Sequence, residues 1–547
     1  EVATDKFMVM TGYFTHKISR AALLLVALVA GIITLFQLVP AGFVPEEDQG
    51  YIMTGLIMPD SASLQRTNVV MGQMEEILAE YEAIENATTV AGYSIMSGTL
   101  QPNAGMSFIQ LKDWDERSEP EDHARELVRQ LNAEFAARIK EGVAFAFGPP
   151  AIPGLGTGSG FTMMMQDRGG NPPEYLYQET QKFIQAATAR PEVGSALTLF
   201  RPSSPQVFLD IDDGKALKLG VPLSDINTSI GAFLGGAYVN DFNRFGRLYK
   251  VYVQAEPEYR GSIDGINMFY VRNAQGDSVP LSTLVETSNS AGPEFTNRFN
   301  LFRAAKITGV PAPGYSSAQA LEALEEEAEK TLPSDMGYAW SDMSFQEKAA
   351  AGSGAVVFLM ALVFVFLILA AQYESWSLPL SVLAGTPIAV FGAIAGLFIA
   401  RTFSESYENN VFAQIGLVML IGLAAKNAIL IVEFAKIESD KGKSPAEAAM
   451  EAARLRFRPI LMTAFSFILG VLPLLVASGA GAEARKVMGM TVFSGMLVAT
   501  VVGVLLVPAL YVIIERYIAR PKPAQAEAGS SGGGQAAPGV ASRAEEP

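Results

Sequence analysis

Apolar residues are distributed along this chain in two regimes. Six predominantly apolar runs, at 21–39, 352–371, 378–400, 411–434, 459–478 and 487–514, have the length a bilayer demands, since about 20 helical residues span its hydrocarbon core. One run thus stands alone near the start, and five follow in close succession. Residues 41–350 between them show short periods instead. YIMTGLIM (51–58) predicts a strand, and 61–81 a helix with Val70, Met74, Ile77 and Tyr81 on one face. ATTVAGY (87–93) and MSFIQLKD (106–113) predict strands, 120–142 a helix, and VAFAF (143–147) a strand. That order, β-α-β-β-α-β, is the split βαβ arrangement. A second such unit begins at FTMMMQD (161–167), continues through a helix near 174–188 and a strand near 194–200, and resumes at 301–340. The interruption, 206–297, is expected to be an inserted domain. From Pro521 the chain is low in complexity and is expected to be disordered.

The fold class expected is therefore an α+β membrane protein. Segment 1–40 would be an amphipathic stretch and the first span. Residues 41–155, and then 156–205 with 298–345, would form two split-βαβ (ferredoxin-like) subdomains. Residues 352–514 would supply the remaining five helices, and 521–547 a tail. Orientation follows from the basic residues. Lys17 and Arg20 precede the first span, Lys436 to Arg458 fill the loop after the fourth, and Arg516, Arg520 and Lys522 follow the last. Those regions fall on one side if every run crosses, so both chain ends are expected to be cytoplasmic and 41–350 outside.

Charge narrows the function. The net charge is −16, and residues 41–350 hold 41 acidic against 23 basic residues. Nucleic acid is not expected as a partner, because phosphate neutralisation needs a basic face. With no cysteine, thiolate metal sites are excluded, and with only His16 and His123, far apart in the chain, neither a histidine metal centre nor a Ser-His-Asp triad is expected. GLGTGSG (154–160) lacks the ending of a phosphate loop, and no nucleotide site is found. Neither an enzyme nor an ATP-driven pump is expected, and no cofactor.

One residue is out of place. Lys426 sits inside the apolar run 411–434, about two helical turns from Glu433. A charge at mid-membrane costs roughly 2.5–3.5 kcal/mol on insertion scales and is a functional candidate by default. No apolar run carries an interior Asp or Glu to pair with it. Its partner is expected on another chain or a segment outside this one. The chain begins with Glu1 rather than Met and is read here as part of a longer protein.

GLAAKNAILIVEFAK (422–436), RFRPILMTAFSFILGVLPLLV (456–476), AAQYESWSLPLSV (370–382), GFVPEEDQG (42–50) and GGAYVNDF (235–242) together resemble the C-terminal half of a resistance-nodulation-division (RND) efflux pump. The resemblance is to the hydrophobe/amphiphile branch and runs in order through residues 1–520. It implies half of a twelve-span fold, whose N-terminal half carries the aspartate pair that would partner Lys426. It implies an inner-membrane exporter of hydrophobic and amphiphilic compounds driven by the proton-motive force. It implies a homotrimer joined through a periplasmic adaptor to an outer-membrane channel, with 206–297 as docking domain. By motif, Lys426, Asn427, Arg456 and Thr463 correspond to the proton relay. Met53, Tyr93, Ile95, Phe108, Phe145, Phe147 and Arg201 correspond to the substrate pocket. The stretch 92–108 departs from the family's switch loop: it is about two residues longer, with Tyr93 and Ile95 where the family has phenylalanines. A metal-ion exporter of the same superfamily, suggested by Met163–Met165, and an RND-fold protein that handles lipid or protein translocation are the alternatives.

Overall fold

The computed structural model describes residues 2–117 and 119–517. The tail expected from 521 lies outside the described residues.

Among the described residues, six helices are long and apolar enough to cross a membrane: Ile18–Leu38, Ser353–Tyr373, Ser377–Ala400, Val411–Asp440, Pro445–Leu475 and Ala482–Tyr517. The fourth and fifth run well past the apolar segments that announced them. Ser444 explains the fifth: its side chain accepts the Glu447 N–H while Glu447 bonds back, a capping box with Pro445 in the first turn. The third is two pieces, Ser377–Leu383 and Thr386–Ala400, joined at Ala384 and Gly385. The sixth widens into a π-turn at Ala499–Gly503. Gly392 and Gly396 bring the third and sixth spans into contact; an added Cβ would lie 2.6 Å from that of Val498 and 2.1 Å from Ser494 Oγ. Val2–His16 is a separate helix, broken from the first span at Lys17. It docks on the fifth span through Phe7, stacked on Phe457 at 4.1 Å.

Outside the spans, β1 (Tyr51–Ile57), β2 (Ile84–Ser94), β3 (Thr99–Leu111) and β4 (Val143–Phe147) form one antiparallel sheet in the order β2-β3-β1-β4. Helices Leu64–Leu78 and Ala124–Arg138 cover one face, burying Ile52, Leu56, Ile109 and Ala146 against Val70, Met74, Leu131 and Phe135. The stretch 92–108, which corresponds by resemblance to the family's switch loop, is mostly strand. β2 and β3 pair as far as Ser94 and Thr99, leaving only 95–98 as a turn, and a bulge lies between Ala91 and Tyr93. Pairing satisfies backbone groups that a loop would leave to water.

Phe161–Asp167, Val193–Thr198, Phe302–Pro311 and Met336–Trp340 make a second sheet with the same spatial order, and Asn297–Phe299 is added to it. Met163 and Met165 lie fully buried in its core. Between its halves, Ser204–Ile211 pairs with Val285–Gly292, enclosing a small core of Ala216, Val221, Ile226, Leu281 and Leu284. From that core the hairpin Ala237–Arg244 and Arg247–Val253 reaches outward, almost entirely exposed.

Candidate functional site

The sequence points to two groups of residues, one in the spans and one in the sheets.

In the fourth span, the exposed positions Ile415, Met419, Gly422, Lys426, Glu433 and Ile437 recur every three, four or seven residues, tracing one stripe. Lys426 lies on it. Among the described residues it makes no ion pair or hydrogen bond, and Glu433 is two turns, about 10 Å, further along the axis. Asn427 does not share this stripe. It is 6% exposed and faces inward, beside Gly385, Ala428, Gly503 and Val504. Successive helical residues diverge by about 100°, so adjacency in sequence separates the two rather than joining them. Arg456 lies over the Phe434 ring at 3.5 Å, a cation–π contact between fifth and fourth spans, and its buried Nε has no hydrogen-bond partner among the described residues. Thr463 Oγ1 donates to the carbonyl of Ile460 at 3.1 Å, the self-satisfying use common for threonine in a helix.

In the first sheet, register places Met53 opposite Phe108 on β3 and Phe147 on β4. Phe145 and Phe147 stand 5.8 Å apart, and Phe145 packs over Gly55, where an added Cβ would meet it at 2.6 Å. Because side chains alternate along a strand, these four share the face without helices. Met53 is 5% exposed and Phe108 47%. Tyr93 and Ile95 are not in this row: Tyr93 pairs with Leu100 beyond the bulge, and Ile95 is in the turn. The turn's tip, Met96 and Ser97, faces Phe200, Phe295 and Lys306 of the second sheet's unit. Arg201 forms an ion pair with Asp60, so it joins the two units at the end of β1.

The sequence reading assigned no role to the acids of GFVPEEDQG, yet they anchor the foot of the sheets. Glu46 pairs with Arg125 at 3.0 Å, and Arg125 also reaches Glu405 at 3.1 Å. Glu47 accepts the N–H groups of Glu483 and Ala484, at the start of the sixth span. Asp48 takes two hydrogen bonds from Arg117, at 2.9 and 3.2 Å. Burial pushes the Asp48 carboxyl up, but Arg117 and the N–H groups of Gly50 and Ala124 outweigh it and hold it below the usual range. Three carboxylates in succession after a span were the available signal. A further pair, Glu408 with Arg401 at 3.2 Å, lies between the third and fourth spans. There burial pushes the Glu408 carboxyl up to about 7 against the pull of Arg401.

The AcrB/AcrD/AcrF family matches residues 2–515. The chain is 41% identical over 502 residues to the toluene efflux pump membrane transporter TtgB of Pseudomonas putida, covering 91% of this chain and 46% of that protein. To the multidrug export protein AcrF of Escherichia coli it is 40% identical over 504 residues, covering 91% and 48%. To the multidrug resistance protein MdtF of Escherichia coli it is 38% identical over 531 residues, covering 96% and 50%. It therefore spans about half the length of the curated relatives it matches. With that match across the spans and both sheets, the chain belongs to the AcrB/AcrD/AcrF family of RND multidrug efflux transporters.

Proposed function

We propose that this chain is part of an inner-membrane antiporter that exports hydrophobic and amphiphilic compounds in exchange for protons. The observation that carries the proposal is Lys426: a lysine on the open stripe of an apolar span, unpaired among the described residues. An ammonium there needs a carboxylate from outside these residues. An aspartate pair on a partner half would supply it, and would bind a proton more tightly whenever the lysine moved away. Arg456 and Thr463 would line the cytoplasmic side of that relay. Asn427 faces the other way and would act within the bundle.

In this reading 41–155, and 156–205 with 298–345, are split-βαβ porter subdomains on the periplasmic side. The row Met53, Phe108, Phe145 and Phe147 forms an apolar wall of the substrate path; Tyr93 and Ile95 belong to the movable hairpin, and Arg201 to the seam between subdomains. The insert 206–297 would dock to a periplasmic adaptor or an outer-membrane channel, in a homotrimer, with both chain ends cytoplasmic. The names of TtgB, AcrF and MdtF, a toluene pump and two multidrug proteins, favour drugs and solvents over metal ions. Met163 and Met165 also serve as core rather than as ligands.

The test is Lys426→Ala in the whole transporter, with dye efflux and trimer content measured together. Loss of efflux at normal trimer content is expected. Wild-type efflux would overturn the reading.

A further inference from the structure

On the side of the fourth span away from Lys426 there is a small cavity of about 10 Å³. The third, fourth and sixth spans enclose it, with Gly385, Asn427, Ala428, Ala499, Gly503 and Val504 in its wall. Its one polar side chain is Asn427, 6% exposed, whose Nδ2 has no partner among the described residues. A buried amide N–H left unpaired is costly, and native proteins almost always satisfy it.

The facing wall is unusual backbone. Ala499–Gly503 is a π-turn, a form that disturbs the regular carbonyl ladder and is frequent at functional sites. Pro508 follows inside the same helix. Proline has no N–H, so the carbonyl four residues earlier loses its usual partner. That carbonyl belongs to Val504, itself in the wall. Gly385 and Gly503 present backbone rather than side chain to the same space. A buried donor without an acceptor, and a residue whose carbonyl the proline denies its usual helical donor, thus line one cavity.

We propose that this cavity is a hydration site holding one water. It accepts the Asn427 Nδ2–H and donates to the Val504 carbonyl. The volume suits a single molecule, since roughly 10–15 Å³ of this kind of space is the minimum for one water, which also needs two to four polar partners. Such a water ties the helix that carries Lys426 to the π-turn of the sixth span. Rotation of the fourth span about its axis breaks the tie. The site does not depend on the proton-relay reading, because it rests on the inward face of the helix.

The test is nuclear magnetic resonance of the full chain in lipid nanodiscs, with asparagine side chains labelled with nitrogen-15. A cross-peak between the Asn427 amide and a long-lived water is expected, with its assignment given by its loss in Asn427→Leu. Gly503→Ala adds a methyl group whose nearest neighbour is Ala499 Cβ at 4.0 Å, so it fits without a clash. By filling the cavity it should abolish the cross-peak while leaving the amide signal. Pro508→Ala restores an N–H that competes for Val504, and should weaken the cross-peak several-fold. A folded wild type without the cross-peak overturns the proposal, as does a cross-peak that survives Gly503→Ala unchanged.

Discussion

The carboxylate of Glu47 accepts the backbone N–H of Ala484 at 2.7 Å, so a residue nine positions after the first span, which ends at Leu38, caps the beginning of the sixth. The first N–H groups of a helix have no partner within it, and a carboxylate there also meets the positive end of the helix dipole. Glu46 and Asp48 on either side hold Arg125 and Arg117 of the first sheet's unit. One short linker thereby fixes the sheet to two spans at once. Glu47 links the start of the sixth span directly to the segment that leads into β1.

Glu47→Ala should lower stability by about 1 kcal/mol, the usual loss on removing a helix cap. Glu47→Gln should lose less, because an amide oxygen still accepts one N–H. Thermal unfolding of both variants in the same detergent checks this. Equal losses would mean that the cap contributes nothing beyond the charge.

Asp48 and Arg117 make a buried pair, with side chains 7% and 1% exposed. Asp48→Leu alone should cost about 3–5 kcal/mol, because it strands the guanidinium in the interior. The double variant Asp48→Leu, Arg117→Leu should recover a large part of that, since apolar replacement of a buried pair is often near neutral. The carboxyl's pKa is lowered in the folded chain. Its contribution is therefore present above the ordinary aspartate range and lost as pH falls through the lowered value. Denaturant midpoints for the two variants against wild type, at neutral and acidic pH, decide the matter.

How much of this was legible depends on what each signal averages over. Apolar runs average over many residues, and all six spans were readable. Their ends were not, because the helices past Phe434 and before Pro459 continue in charged residues that hydropathy does not count. The alternation 51–58 and 143–147 gave β1 and β4. The strands legible at 87–93 and 106–113 extend further, to Ser94 and back to Thr99, because cross-strand pairing overrides the low strand propensity of Pro102 and its neighbours. Lys426 was recognisable as unpaired from composition alone. Asn427 was grouped with it by adjacency, but a helix turns neighbours to different faces. The roles of Glu46, Glu47 and Asp48 depend on Arg125, Ala484 and Arg117, far away in sequence, and no local pattern records such distances.

Glu408 yields a prediction with the opposite sign to Asp48. It is enclosed by Arg401, the linker at Gly42, and the charges of Glu347 and Arg125, while Arg401 also donates to the carbonyl of Gly314 at 3.1 Å. Its pKa is raised from 4.5 to about 7, so the folded chain binds this proton more tightly than the unfolded one. The stability it confers is fully present below about pH 4.5 and is lost as pH rises through about 7. At about 1.4 kcal/mol for each pKa unit, the loss is on the order of 3 kcal/mol. Glu408→Gln should remove this slope. Melting temperatures from pH 4.5 to 8 should fall more steeply in wild type than in the variant, and parallel curves would refute the assignment.

The row on the open face of the first sheet divides by exposure into buried and half-exposed members. Met53 and Phe108 face each other across the strands, yet Met53 is 5% exposed and Phe108 47%. Truncating a buried methionine leaves a cavity and costs about 2–5 kcal/mol. Removing a half-exposed ring costs the fold far less, but it removes an aromatic surface worth about 0.5–1.5 kcal/mol in stacking beyond its area. Met53→Ala should therefore lower thermal stability and reduce export of all substrates together, through loss of folded protein. Phe108→Ala should leave stability nearly unchanged in the whole transporter and lower resistance to flat aromatic dyes more than to bile salts or aliphatic detergents. Matched strains scored for protein level, melting temperature and resistance to both substrate classes make the comparison. If Phe108→Ala lowers both resistances equally at normal protein level, the ring does not select among substrates. If it lowers stability as much as Met53→Ala does, the exposed edge of the row belongs to the core.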